Sequence, residues 1–259
     1  MIIDNYFEDK GSGAPIVFIH GSYATTSTWK KMIGQLSENN RCISIKLPGH
    51  GGAPDLVNFS DPVIETELGI LAQVVNLLTA EPIHLVGHSV GGAIALAQAL
   101  KGNLNLRQVT LFEPTATWVL DRTGDRIMSA QVEDLLTQFR QDASSQKPYA
   151  CAQVIDFWGG KGAFKALPGF IKANMELLTQ NNIRHWDITS VSHSELTDLK
   201  HCTVPMRLVY GNQSNPVARS ICKHLGRYIP NNKQYEIEGA SHFLVTSHPY
   251  ECVRVMSEQ

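Results

Sequence analysis

Residues 83–92 read IHLVGHSVGG, and residues 93–100 continue as AIALAQAL. An apolar run meets Gly-x-Ser-x-Gly and passes straight into an alanine-rich segment, which predicts a strand, a very tight turn and a helix. The spacing has a physical reason. A serine at such a bend sits in strained backbone, and Gly87 and Gly91 carry no side chains to collide across it. The helix that follows points its N-terminus at Ser89, where developing negative charge is favoured. Set against this is an ordinary glycine-rich strand–helix loop, and the rest of the chain decides between them.

Outward from this stretch, short apolar runs alternate with longer helical patterns. Residues 16–20 (IVFIH), 42–47 (CISIKL), 107–112 (RQVTLF), 206–210 (MRLVY) and 233–238 (KQYEIE) read as further strands. Several are almost continuously apolar, as in strands covered on both faces. Residues 27–38, 61–79, 90–101, 216–227 and 249–257 read as helices, with Asp61-Pro62 as an N-cap and first-turn proline. The pattern predicts an α/β protein with a mostly parallel central sheet flanked by helices. The alternation breaks between Thr115 and Lys200, where helical patterns run near 129–143, 150–158 and 163–180 and where Trp118, Trp158 and Trp186 fall. The expected division is a core of residues 1–114 and 201–259 and a helical cap of residues 115–200 inserted between two strands. The cap's aromatic residues have an alternative role, packing the insertion onto the sheet.

Composition narrows the function. With 259 residues and 43% hydrophobic content, the chain can bury a core. Lysine and arginine total 22 against 24 acidic residues, for a net charge of −2, and no basic block occurs, which excludes a dedicated nucleic-acid binder. The longest apolar runs are strand-sized, short of the roughly 20 residues of a membrane span. Five scattered cysteines (Cys42, Cys151, Cys202, Cys222, Cys252) form no Cys-x-x-Cys pair, which argues against a disulfide scaffold and a structural zinc site. A reducing, cytoplasmic location is the expectation, and no secretory signal pattern opens the sequence.

Three further stretches fall into place around the serine. Residues 16–22 (IVFIHGS) form a strand ending in His-Gly, residues 47–51 (LPGHG) follow the next strand, and residues 239–243 (GASHF) follow the last. In this order the motifs resemble the α/β-hydrolase superfamily, on its esterase and lipase-like branch with a helical cap. The resemblance covers nearly the whole chain, the cap least. It implies the α/β-hydrolase fold, with Ser89 as nucleophile, His242 as general base, and the backbone N–H groups of Val90 and Ser22 as an oxyanion hole. A histidine near its ordinary pKa can take a serine proton at neutral pH. Haloalkane dehalogenases and epoxide hydrolases on this fold use a carboxylate nucleophile, whereas Ser89 calls for a carbonyl substrate.

The acid departs from the family pattern. Many members carry it in Gly-x-x-Asp after the strand that follows the cap. Here residues 210–217 read YGNQSNPV, Ser214 stands at the expected position, and no carboxylate occurs from Gly211 to Leu225. Residues 109–114 (VTLFEP) offer a replacement: a strand ending in Glu113, next to the serine's strand and on the same sheet edge. Some superfamily members, haloalkane dehalogenases among them, resemble this in having moved their acid here. Glu113 is therefore assigned as the partner of His242. The alternatives are a solvated hinge role for Glu113, a cap aspartate (Asp121 or Asp125), or no acid at all; Asp198 precedes its strand, at the wrong sheet edge.

His20 and His88 are read as structural neighbours of the site, and His84 with His88 as no metal pair because they span a strand and turn. His193, Glu195 and His201 lack a compact ligand motif. Residues 159–162 (GGKG) lack the strand and the Gly-Lys-Ser/Thr ending of a phosphate loop. The expectation is a serine esterase taking a small or medium ester or related acyl compound, with no cofactor and no metal. Carbon–carbon, lactone or thioester cleavage by the same machinery stays open, as does a ligand-binding protein on a decayed hydrolase scaffold. The sequence assigns no oligomeric state.

Overall fold

The computed structural model describes residues 2–55, 61–190 and 194–258. Among them, seven strands form one sheet: β1 (Phe7–Lys10), β2 (Ala14–Ile19), β3 (Asn40–Ile45), β4 (Ile83–His88), β5 (Leu106–Phe112), β6 (Met206–Gly211) and β7 (Asn232–Ile237). Their order is β1-β3-β2-β4-β5-β6-β7, and every pairing is parallel except β1 with β3. The strand bearing the serine turn thus lies near the middle, between β2 and β5.

Both faces of the sheet are covered, which explains the apolar strand runs. In β2, Val17 and Ile19 join one buried cluster while Ile16 and Phe18 join the other. Leu85 and Val86 of β4, and Leu208 and Val209 of β6, divide the same way. Strand side chains alternate between faces, so a run without polar interruption belongs between two helical layers. Each such side chain contributes about 1.5–3 kcal/mol by leaving water.

The core helices are α1 (Lys30–Leu36), α2 (Ile64–Leu78) and α3 (Val90–Lys101) before β5, and α11 (Pro216–Tyr228), α12 (Leu244–Ser247) and α13 (Pro249–Ser257) after β6. Between β5 and β6 lie α4 (Trp118–Thr123), α5 (Arg126–Ser144), α6 (Ala152–Gly159), α7 (Ala163–Ala166), α8 (Gly169–Leu177), α9 (Thr179–Ser190) and α10 (Leu196–His201). Part of the expected cap, residues 191–193, lies outside the described residues.

Two expectations need correction. Helix α2 does not start at Asp61-Pro62: Val63 is extended (φ −127°, ψ 142°), so the helix opens at Ile64. The pattern read as one helix over 163–180 is broken by Pro168, which has no N–H to continue α7 and instead precedes the start of α8.

Helix α9 ties the helices between β5 and β6 to the preceding part of the chain. Arg184 meets Glu67 of α2 at 2.5 Å with both side chains buried, Asn181 donates to Asp55 at 3.1 Å, and His185 bonds Ser22 at 2.6 Å. A second tie is Asp125, which caps α5 and accepts from Ser220 at 2.6 Å and His224 at 3.0 Å on α11.

Candidate active site

The turn after β4 is as tight as the sequence demands. Ser89 has φ 56° and ψ −122°, a backbone region that non-glycine residues rarely occupy. A Cβ on Gly87 would collide with the carbonyl oxygen of Gly91, and a Cβ on Gly91 with those of Ile19 and His20. The strain is held by hydrogen bonds on both sides: Ser89 donates its N–H to Phe112 at 3.0 Å and accepts from Ala93 and Thr115 at 3.1 Å each. As the first residue of α3, Val90 has an N–H with no acceptor inside its helix. The His20-Gly21-Ser22 loop comes so close that a Cβ on Gly21 would lie 3.0 Å from that of Ser89. Ser22, Ser89 and Val90 all border one cavity of about 140 Å³.

His242 reaches this turn from the loop after β7. Its Nε2 lies 3.1 Å from Ser89 Oγ, and its Nδ1 lies 2.7 Å from Glu113 Oε2. Glu113 follows β5 with φ 45°, a second strained residue on the same sheet edge, and is completely buried. Its other oxygen accepts the Gly211 N–H at 2.8 Å and the Ser214 hydroxyl. Burial pushes the Glu113 carboxyl up, but donors from His242, Gly211 and Ser214 more than offset it and hold the group below the usual carboxylate range. Glu113 thus meets His242 as a carboxylate, and the Nδ1 proton points to it.

Ser214, where the family pattern places an aspartate, donates to the glutamate instead. Its N–H donates to the Gly211 carbonyl at 3.2 Å, and the next residue, Asn215, caps α11 by accepting from Val217 at 2.7 Å. Of the other acids considered, Asp121 accepts from Ser129 at 2.5 Å, Asp125 holds α11, and Asp198 closes a capping box at the start of α10. The structure brings Ser89, His242 and Glu113 together and leaves those three aspartates on helix termini and surface contacts.

Histidines surround the site. His88 Nε2 donates to the His242 carbonyl at 2.8 Å, so its contribution is to seat the histidine loop. Burial first, and the facing His242 second, lower the His88 pKa to about 3, so it stays neutral. His20 donates from Nδ1 to Gly21 at 2.8 Å and accepts from the Leu47 N–H at 3.2 Å, joining two loops. The His50 ring lies 5.5 Å from that of His20 and stacks 5.0 Å from that of His185, forming a buried column from sheet edge to cap. His84 bonds Thr110 on the neighbouring strand at 2.8 Å.

Rings from the helices between β5 and β6 and from the loop after β7 line the cavity. Trp158 stacks 5.0 Å over His242 and 6.1 Å from Trp186, and Phe243 presents its edge to His242 at 6.2 Å. Sequence reasoning missed the contributions of Asn182 and His185, for which α9 offered no apolar period. Among the described residues no group of three His, Cys, Asp or Glu side chains is placed to hold a metal ion; His193 lies outside them. No helix among them is long and apolar enough to cross a membrane.

Residues 16–255 match the model of the alpha/beta hydrolase family. A putative 2-succinyl-6-hydroxy-2,4-cyclohexadiene-1-carboxylate synthase of Haemophilus influenzae is 42% identical over 101 residues, covering 37% of this chain and 39% of that protein. A pimeloyl-[acyl-carrier protein] methyl ester esterase of Methylococcus capsulatus is 25% identical over 269 residues, covering 98% of this chain and 97% of that protein. An esterase from Exiguobacterium antarcticum shares the fold with a TM-score of 0.77 at 20% identity, over 97% of this chain and 93% of that one. With strand order, serine turn and family model in agreement, the chain belongs to the alpha/beta hydrolase family.

Proposed function

We propose that this hydrolase cleaves carboxylic esters of small to medium size through an acyl-serine intermediate on Ser89. The observation that carries the reading is the unbroken chain from Ser89 Oγ to His242 Nε2 at 3.1 Å and from His242 Nδ1 to Glu113 at 2.7 Å. A serine hydroxyl becomes nucleophilic only as a base removes its proton, and a base works well only if its cationic form is stabilised. Ser89 Oγ attacks the ester carbonyl carbon while His242 takes its proton. The carbonyl oxygen becomes an oxyanion facing the Val90 and Ser22 N–H groups, one such donor contributing about 2.7–4 kcal/mol. His242 returns the proton to the departing alcohol. Water, deprotonated by His242, then attacks the acyl-serine, releasing the acid and restoring Ser89.

Residues 115–200 act in this reading as the cap of a core formed by 1–114 and 201–259. The name of the Methylococcus relative, a methyl ester esterase, supports ester cleavage. The five unpaired, buried cysteines suit a cytoplasmic protein. No cofactor has a role in the scheme.

Hydrolysis of 4-nitrophenyl butanoate tests it. Wild type is expected to release nitrophenol and butanoate, and Ser89→Ala to turn over about 10⁶-fold more slowly. Undiminished turnover by Ser89→Ala would remove the acyl-serine.

A further inference from the structure

The walls of the cavity carry an unusual combination. Among the described residues lining it there is no lysine, arginine, aspartate or glutamate. Arg184, between Asn182 and Trp186 on α9, is buried against Glu67 at 2.5 Å and does not line it. Glu113 lies behind His242, and the Tyr23 hydroxyl pKa is raised by burial first, then by Cys151 and Glu176. A carboxylate entering here would lose its water and meet no countercharge among the lining side chains.

Yet the walls are not purely apolar. Asn182 and Trp186 stand one turn apart on α9 and both line the cavity. Asn182 Oδ1 and Trp186 Nε1 are buried and have no hydrogen-bond partner within the protein, as is true of Tyr23 Oη and Thr115 Oγ1 on the same walls. Buried polar atoms are rarely left in this state, and several around one cavity define a place for a polar guest. The indole N–H can only donate, whereas the asparagine amide and the hydroxyls can also accept.

We propose that the pocket selects uncharged acyl compounds bearing a neutral hydrogen-bonding group, such as an amide, hydroxyl or ketone, which the Asn182–Trp186 edge of α9 receives while carboxylates are refused. This rests on the ester-cleaving reading above and names its substrate class. Asn182 and Trp186 are specificity residues that act on the far end of the acyl chain.

Four methyl esters of matched length test it: methyl succinamate, methyl 4-oxopentanoate, methyl pentanoate and monomethyl succinate. At pH 7.5 the amide is expected to exceed the isosteric carboxylate by about 100-fold in kcat/KM, with the ketone between them. Trp186→Phe keeps an aromatic ring, smaller than the indole, but removes the N–H, and should lower the ratio of amide to pentanoate about fivefold; Asn182→Leu should do the same. Binding of the four esters to Ser89→Ala, followed by quenching of tryptophan fluorescence, should show the same order. Monomethyl succinate handled as well as methyl succinamate would overturn the inference, as would ratios that neither α9 variant moves. If esters are cleaved without regard to the end group, the serine chemistry stands and this inference falls. If no ester is cleaved while Ser89→Ala binds them in the stated order, the pocket assignment stands and the ester chemistry falls.

Discussion

At the sheet edge, Ser89, His242 and Glu113 are joined by hydrogen bonds of 3.1 and 2.7 Å and set by strained backbone at φ 56° and 45°. Across the cavity, the cap contributes no such chain: it offers the rings of Trp158 and Trp186 and the unpaired atoms of Asn182 and Trp186. The edge is positioned by the main chain of three strands, whereas the cap is positioned by side-chain packing and a few polar ties. Substitutions at the edge should therefore change the rate on every substrate, and substitutions in the cap should change the ranking of substrates.

The largest effect expected from that contrast, after loss of the serine itself, is at Glu113. Glu113→Gln preserves shape but removes the charge that favours imidazolium, and kcat should fall by about 10⁴. Nearly full activity in a variant that retains its thermal midpoint would mean that the edge does not work as one unit.

Acid should next act on the buried histidines. His20, His84 and His88 are buried with pKa values lowered to about 3, by desolvation first in each case, and His185 of the cap is also well below the ordinary range. In the unfolded chain each would bind a proton near pH 6.5. The unfolded state therefore takes up protons that the folded state refuses as pH falls below about 6.5. Stability is full above that value and is lost towards pH 3, by about 1.4 kcal/mol per pH unit for each histidine once the slope develops. Urea midpoints at pH 7.5 and pH 5 check this, and equal midpoints would contradict it.

Smaller effects separate support from chemistry. Ser214→Ala removes one donor to Glu113 but leaves the Gly211 N–H, so activity should drop about tenfold, measured against Glu113→Gln on one ester. In the cap, Trp158→Leu loses the stack over His242 and should lower kcat/KM about fivefold. A drop as deep as that of Glu113→Gln would erase the distinction between edge and cap.

The same division governs what the sequence discloses. Ser89 is legible because its sharp turn needs glycine at fixed spacing, and His242 through the resemblance of Gly-Ala-Ser-His at 239–242 to the family's late motif. Glu113 is legible because a charge ending an apolar strand has one sheet edge to occupy. Strand β1 is invisible: Phe-Glu-Asp-Lys is short, mostly exposed and antiparallel, without a buried face to impose a pattern. Helix α9 is the more instructive loss. Its sequence TQNNIRHWDITS has no apolar stripe because Asn181, Asn182, Arg184 and His185 are themselves buried. They are held by partners elsewhere in the chain or face the cavity, and periodicity does not encode such partners. The fold's core rests on local pattern, while the cap's polar edge exists only once the chain is assembled.

The most direct measurement is intact-mass and peptide mapping after reaction with a fluorophosphonate, which traps an activated serine as its phosphonyl ester with loss of fluoride. The expected result is one adduct per chain on the peptide containing Ser89, absent from Ser89→Ala and formed far more slowly by Glu113→Gln. An unmodified wild-type chain, or an adduct on another residue with Ser89 untouched, would contradict the account.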